Sequence, residues 1–296
     1  MITLKYTNDG SHLQCASKGV AVYLDTFAFI ELALHKPELR RRFIAAIRRE
    51  ADVIFSVTNI AELALLQGNS LHAVRCFMAE IGNDWLPAEL NVFEIIEREK
   101  AGGGQQSFVS ERFLRDYFAY RVSQAGQLSP CVLAIPGDEA LSLEGFLDWI
   151  TPQRDSLLKS KADMDDVLQK TVFGLRRQYD ADPSWLDRTY PLLPFDGRFR
   201  GHFVASRLLR GLIEEAKERP LKKGDGLDFF HAVVAAGFCS GGTLDKHWKR
   251  RVNMIAGPHQ LTPVYSRNEL DEFVEGMEIA VAQVEKIKQP SLIWIP

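Results

Sequence analysis

The hydrophobic pattern sets the fold class early in the chain. Val20-Ala21-Val22-Tyr23-Leu24 is an unbroken run of apolar and β-forming residues that stops at Asp25, the pattern of a strand buried on both faces. From Thr26 to Leu34 the apolar positions recur at helical spacing instead. A second run, Val53-Ile54-Phe55-Ser56-Val57, leads through Thr58-Asn59 to another helical stretch, Ile60 to Leu66. Strand, acid or cap, then helix comes twice in close succession. That rhythm predicts βα units and a parallel sheet.

Residues 88–220 read differently. Ala88–Lys100, Ser110–Ser123, Leu141–Ile150, Leu157–Arg177 and Phe203–Arg219 all have helical spacing. Breaks fall at Gly102-Gly103-Gly104, Ser129-Pro130, Ile135-Pro136-Gly137 and the proline-rich stretch from Pro183 to Pro194. No strand is predicted there. The α/β rhythm then returns: Asp225-Gly226-Leu227-Asp228 opens a helix that Gly237 is expected to end. A short strand-like stretch reaches Leu244-Asp245, Leu261–Ser266 reads as a further strand, and Glu269–Lys288 as a final helix. The expected organisation is an α/β domain with a central parallel sheet, interrupted by a large helical insertion. Its parts are residues 18–87, an insertion or subdomain at 88–221, and 222–296 with the C-terminal helix.

Composition narrows the setting. The 296 residues are 46% hydrophobic and 25% charged, ordinary for a globular protein. A net charge of −3 gives no global attraction to polyanions, so nucleic acid would have to meet local basic patches. Cys15, Cys76, Cys131 and Cys239 include no CxxC pair, which predicts free thiols in a reducing compartment. No signal peptide and no membrane-spanning run are read, so a soluble cytoplasmic protein is expected.

Four acids occupy the places where parallel sheets put function. Asp25 closes the first strand run, Glu62 lies in the helix after the second, Asp228 in the helix opened by Asp225, and Asp245 ends the next strand run. Ligands of open α/β sheets bind beyond the carboxyl ends of the strands. Carboxylates gathered there repel one another unless a cation neutralises them, and hard oxygen donors suit magnesium or manganese.

Here the chain resembles the PIN-like domain family, on four blocks. They are Ala21-Val22-Tyr23-Leu24-Asp25-Thr26, Ser56-Val57-Thr58-Asn59-Ile60-Ala61-Glu62, Gly224-Asp225-Gly226-Leu227-Asp228-Phe229-Phe230-His231-Ala232 and Gly242-Thr243-Leu244-Asp245-Lys246-His247-Trp248. Thr243-Leu244-Asp245 stands where the family often has Thr-Asp, and the long helical middle has no counterpart in simple PIN domains. The resemblance implies a three-layer fold and a ribonuclease using one or two Mg2+ or Mn2+ ions. Asp25 and Asp228 are then metal ligands, Glu62 and Asp245 complete the shell, and Asp225 is auxiliary. Thr26, Asn59, Lys246, Lys249 and Arg250 are expected to meet substrate. Expected partners are RNA, a small inhibitory protein (the antitoxin of a toxin–antitoxin pair) and a second copy of the chain, with no membrane.

Plainer roles compete for the same residues. Asn59 with Glu62 three positions on matches a capping box, and Asp225 with Asp228 has that spacing too. Thr26 is equally suited to capping a helix. His231 reads as a hydrogen-bonded core histidine. Trp248, within the basic run Lys246–Arg251, is suited either to stacking on a base or to the core. Arg40-Arg41-Arg42 with Arg48-Arg49 reads as a solvated helix face, and Phe113, Tyr117, Phe118 and Tyr120 as core. The functional alternatives to a ribonuclease are a catalytically silent RNA- or protein-binding scaffold and, less favoured, a structure-specific DNA nuclease.

Overall fold

Five short strands make one all-parallel sheet, ordered β5-β4-β3-β6-β7. They are β3 (Val20–Tyr23), β4 (Ala51–Ser56), β5 (Trp85–Ala88), β6 (Gly241–Thr243) and β7 (Val264–Tyr265). The computed structural model describes residues 2–7, 10–15, 18–89, 91–103, 108–128, 141–215, 221–257, 259 and 261–288. Gly104, the Ser129-Pro130 and Ile135-Pro136-Gly137 breaks, Cys131 and the helix end expected at Arg219 lie outside them. Ahead of the sheet, β1 (Ile2–Thr7) and β2 (Gly10–Cys15) pair as an antiparallel hairpin that the apolar pattern does not announce.

Alternation along β6 separates the two faces of the sheet. A Cβ on Gly241 would meet Phe273 of the last helix, α13 (Leu270–Lys288), while one on Gly242 would meet Ala235 of α11 (Asp225–Phe238). Neighbouring strand residues point to opposite faces, so these two helices cover opposite sides and the fold is three-layered. Both faces being covered accounts for β3 and β4 being buried at every position. Besides α13, α1 (Thr26–Leu34) and α2 (Pro37–Glu50) follow β3, while α3 (Val57–Leu63) and α4 (Gly68–Ile81) follow β4.

The middle of the chain is helical: α5 (Val92–Arg98), α6 (Glu111–Leu128), α7 (Leu143–Ile150), α8 (Arg154–Ala181), α9 (Ser184–Thr189) and α10 (Arg200–Glu214). The long α8 packs against α3, α10 and α11, and Phe146, Val172, Phe203 and Leu208 join the same apolar core as the sheet. Leu114 and Tyr117 are buried, with Phe113, Phe118 and Tyr120 packed beside them. The last unit, α12 (Lys246–Ala256), links β6 to β7. Among the described residues no helix is long and apolar enough to cross a membrane.

Three expectations are corrected. The strand β5 is additional, and its Pro87 is tolerated because β5 is an edge of the sheet. The strand expected over Leu261–Ser266 shrinks to Val264–Tyr265. Gly237 does not end its helix; it lies inside α11, where its missing side chain lets α10 approach, since a Cβ there would stand 2.8 Å from the Gly201 Cα. Gly201 in turn faces Phe238, at 2.0 Å from where a Cβ would sit. A Gly201→Ala protein is therefore expected to lose about 1–3 kcal/mol through overpacking, read as a lower urea midpoint at unchanged slope.

Candidate active site

Strand order fixes where the site lies. From β3 the chain steps to β4 and β5 on one side, then returns to β6 and β7 on the other. The reversal falls between β3 and β6, the point where open α/β sheets leave a crevice at their carboxyl ends. Asp25 follows β3 and Asp245 follows β6, so these two acids flank the crevice. The Asp25 amide donates to Thr243 Oγ1 at 2.8 Å, tying the two strand ends together.

Both acids also begin helices. Asp25 is the N-cap of α1, accepting from the Thr26 amide at 2.8 Å, and Asp245 the N-cap of α12, accepting from the Trp248 amide at 2.7 Å. Each uses one carboxylate oxygen, so capping and a second role are compatible.

Glu62 is not held by the capping box expected of it. Ser56 caps α3, and its box partner is Asn59. Glu62 instead accepts from Thr26 Oγ1 at 2.6 Å and forms an ion pair with Lys161 of α8. Behind this contact runs a polar chain: Tyr23 OH donates to Asn59 Oδ1 at 3.1 Å, and Asn59 Nδ2 donates to Thr26 Oγ1 at 3.0 Å. Thr26 thus holds Glu62 rather than capping α1. Asn59, buried at 1% exposure, orients Thr26 from below.

Asp225 and Asp228 separate by environment. Asp225 is not the N-cap of α11; Gly224 is, with φ of 102°, a left-handed conformation suited to glycine. The buried Asp225 carboxylate accepts from the Lys222 amide at 2.6 Å and from Trp248 Nε1 at 3.3 Å. Asp228, one turn on, is half-buried, and no donor among the described residues engages its carboxyl group. Asp165 of α8 braces this helix start, accepting from the amides of Gly224 at 2.9 Å and Gly226 at 2.7 Å.

Electrostatics ties the four acids into one cluster. Burial pushes the Asp25 carboxyl up to about 7, with Glu62 and Asp245 adding to the rise. Burial, with the charges of Asp25 and Asp245 adding to it, lifts Asp228 to about 8. Lys161 opposes both shifts. His231 is buried, 3.1 Å from Ser56 Oγ, and burial, aided by Lys161, depresses it to about 3; it is the core histidine expected.

The basic run after Asp245 divides in the same way. Trp248 is buried at 1% exposure and belongs to the core, not to a stacking platform. Lys249 pairs with Glu269, and Arg251 with Glu215 at 2.7 Å. Lys246 and Arg250 are exposed, on a groove of about 480 Å³ that Lys249, Asn253 and Met254 also line. Arg40, Arg41, Arg42 and Arg49 of α2 meet Glu80, Glu38, Glu278 and Glu285 in turn at the surface. Cys76 and Cys239 are free thiols.

Donor chemistry favours a hard cation here: among the described residues the carboxylates outnumber the one ammonium, and burial of Asp25 and Asp228 makes the excess charge costly. Among the described residues no three His, Cys, Asp or Glu side chains converge as a ready cage. Lys161 was missed in the sequence because it stands 99 positions from Glu62, in a charge-rich helical stretch. Comparison with known proteins adds no assignment: no family model matches the chain, and no curated protein or solved structure matches it significantly.

Proposed function

We propose that this protein is a divalent-metal-dependent endoribonuclease of the PIN-like kind, hydrolysing RNA phosphodiester bonds. The observation that carries the proposal is the cluster at the switch point. Four acids from four separate segments stand within electrostatic reach of one another there, and two of them are shifted upward: Asp25 to about 7, by burial and by the charges of Glu62 and Asp245, and Asp228 to about 8, by burial and by the charges of Asp25 and Asp245. Strongly shifted carboxyls in a crevice are what a site for cations and proton transfer requires. The choice of RNA rests on the family resemblance of the four blocks.

Asp25 and Asp228 would hold a magnesium or manganese ion, with Glu62 and Asp245 completing its surroundings. Bound there, the ion would lower the pKa of the attacking water and stabilise charge on the leaving 3′-oxygen. The chain supplies the positioning. Thr26 fixes one oxygen of Glu62, and Asn59 fixes Thr26. Capping bonds orient Asp25 and Asp245. Lys246 and Arg250, one helical turn apart on α12 next to Asp245, offer positive charge to the phosphates of a strand leaving the crevice.

A silent scaffold is the second reading. It is favoured by one observation: Glu62 already has a cationic partner in Lys161. Incubation with single-stranded RNA and DNA, in manganese, magnesium or EDTA, separates the two. The nuclease is expected to cut RNA with either metal and to stop in EDTA; cleavage that survives EDTA sinks the metal mechanism, and no cleavage at all selects the scaffold. Asp228→Asn is expected to abolish cutting. Asp225→Asn is expected to cost about 1–3 kcal/mol of stability by disturbing a buried hydrogen-bonded carboxylate, with cleavage per folded molecule retained.

A further inference from the structure

Lys161 is the cation that the described residues bring to the site. Its ammonium rests on Glu62, and its charge reaches Asp25 and Asp228, opposing the rise that burial and their neighbours impose on each. It arrives from α8, whose packing against α3 and α11 brings it over the crevice from the helical middle. Four residues on, Asp165 anchors the same helix to the start of α11 through the Gly224 and Gly226 amides. The stem of Lys161 is thereby delivered from a fixed backbone, while its tip remains movable, with the side chain 25% exposed. A lysine ammonium is a compact point charge on a flexible chain, able to leave one carboxylate oxygen without repacking a core.

We propose that Lys161 is the resident counter-cation of this site, that its ammonium and a divalent metal ion compete for Glu62, and that Lys161 thereby sets the metal affinity of the cluster. This rests on the metal-carboxylate reading above. When the metal enters, the Glu62 oxygen that Lys161 occupies becomes available only as the ammonium withdraws, and the like charges of ammonium and metal favour that withdrawal. The middle of the chain then regulates a site whose acids all come from the two ends.

The test is calorimetric titration of manganese into the intact wild-type protein and into Lys161→Met, Lys161→Gln and Lys161→Arg, with circular dichroism as a check on folding. Because Lys161 is partly exposed, none of these changes buries a new void. Removing the charge is expected to tighten manganese binding about tenfold in the Met and Gln variants, the scale of a partly screened charge pair. Keeping it, in Lys161→Arg, is expected to leave the affinity near that of wild type. Unchanged or weaker binding in both neutral variants, beside a wild type that does bind, overturns the competition and leaves the metal site standing. Absence of binding in every protein overturns both.

Discussion

An Asp25→Asn protein is expected to be more stable than wild type in EDTA at pH 8, and to lack the proposed cleavage activity in manganese. The sign follows from the direction of the shift. Asp25 sits at about 7 in the folded chain, above its value in an unfolded one. Between roughly pH 4 and 7 the folded state therefore binds more protons than the unfolded state, and stability falls as pH rises through that window. Above about pH 7 the native carboxylate is ionised beside Glu62 and Asp245, and the whole penalty is present. The amide of asparagine carries no charge, yet it still accepts the Thr26 amide and so preserves the cap of α1. With a discount for partial exposure, the gain is expected to be about 2 kcal/mol, measured by urea unfolding at pH 8. At pH 5 the difference is expected to shrink, because wild-type Asp25 is then protonated. Manganese is expected to reverse the order, stabilising wild type through linkage and the variant far less. Activity in manganese is expected to fall at least about 10³-fold, roughly 4 kcal/mol of transition-state stabilisation. A variant no more stable than wild type in EDTA at pH 8 would refute the account of Asp25 as a strained, metal-awaiting carboxylate.

That strain was half legible in the sequence. An acid closing an apolar run marks β3 and Asp25, because a buried strand has no other reason to end on a charge. The same logic marks Asp245, and glycine-acid alternation marks the start of α11. Local pattern failed where two signals had equal strength. Ser56 and Asn59 are both good caps three residues apart, and nothing short of the fold decides that Ser56 begins α3 with Asn59 as its partner. Without that, Glu62 looks like a cap residue and its contact with Thr26 cannot be read. β5 was hidden for another reason: Trp85-Leu86-Pro87-Ala88 is short and contains proline, which only an edge strand accepts. Lys161 and Asp165 were hidden most completely. They lie in a helix whose alternating charges match a solvated face, and their partners, Glu62 and the Gly224–Gly226 amides, are distant in sequence. The pair Gly224 and Gly226 was the one available signal, since closely spaced glycines mark places where backbone is closely approached. A Cβ on Gly226 would stand 2.7 Å from the Asp165 Cα.

Asp165→Ala is accordingly expected to damage the site more than any other substitution in the helical middle. The Asp165 carboxylate is buried at 6% exposure. It accepts two backbone amides of the α11 start and a Gln169 amide at 3.0 Å, so it satisfies helix-terminal donors that no residue at the helix start reaches. Its negative charge also lies at the positive end of α11. Removing it leaves the buried Gly226 amide and the partly buried Gly224 amide without acceptors, at about 1–3 kcal/mol for a fully buried group and more where charge assisted the bond. The expected loss is about 3–4 kcal/mol in urea unfolding. Asp165→Asn keeps an acceptor oxygen and is expected to recover roughly half of it. The functional consequence runs through Asp228, which stands in the first turn of α11. When that turn frays, Asp228 loses its fixed place beside Asp25. Manganese affinity of the folded fraction is therefore expected to weaken in Asp165→Ala, partly recover in Asp165→Asn, and change little in Lys170→Ala on the exposed side of the same helix. Stability lost with manganese affinity intact would confine Asp165 to holding the fold. Both lost together would place the helical middle within the site it covers.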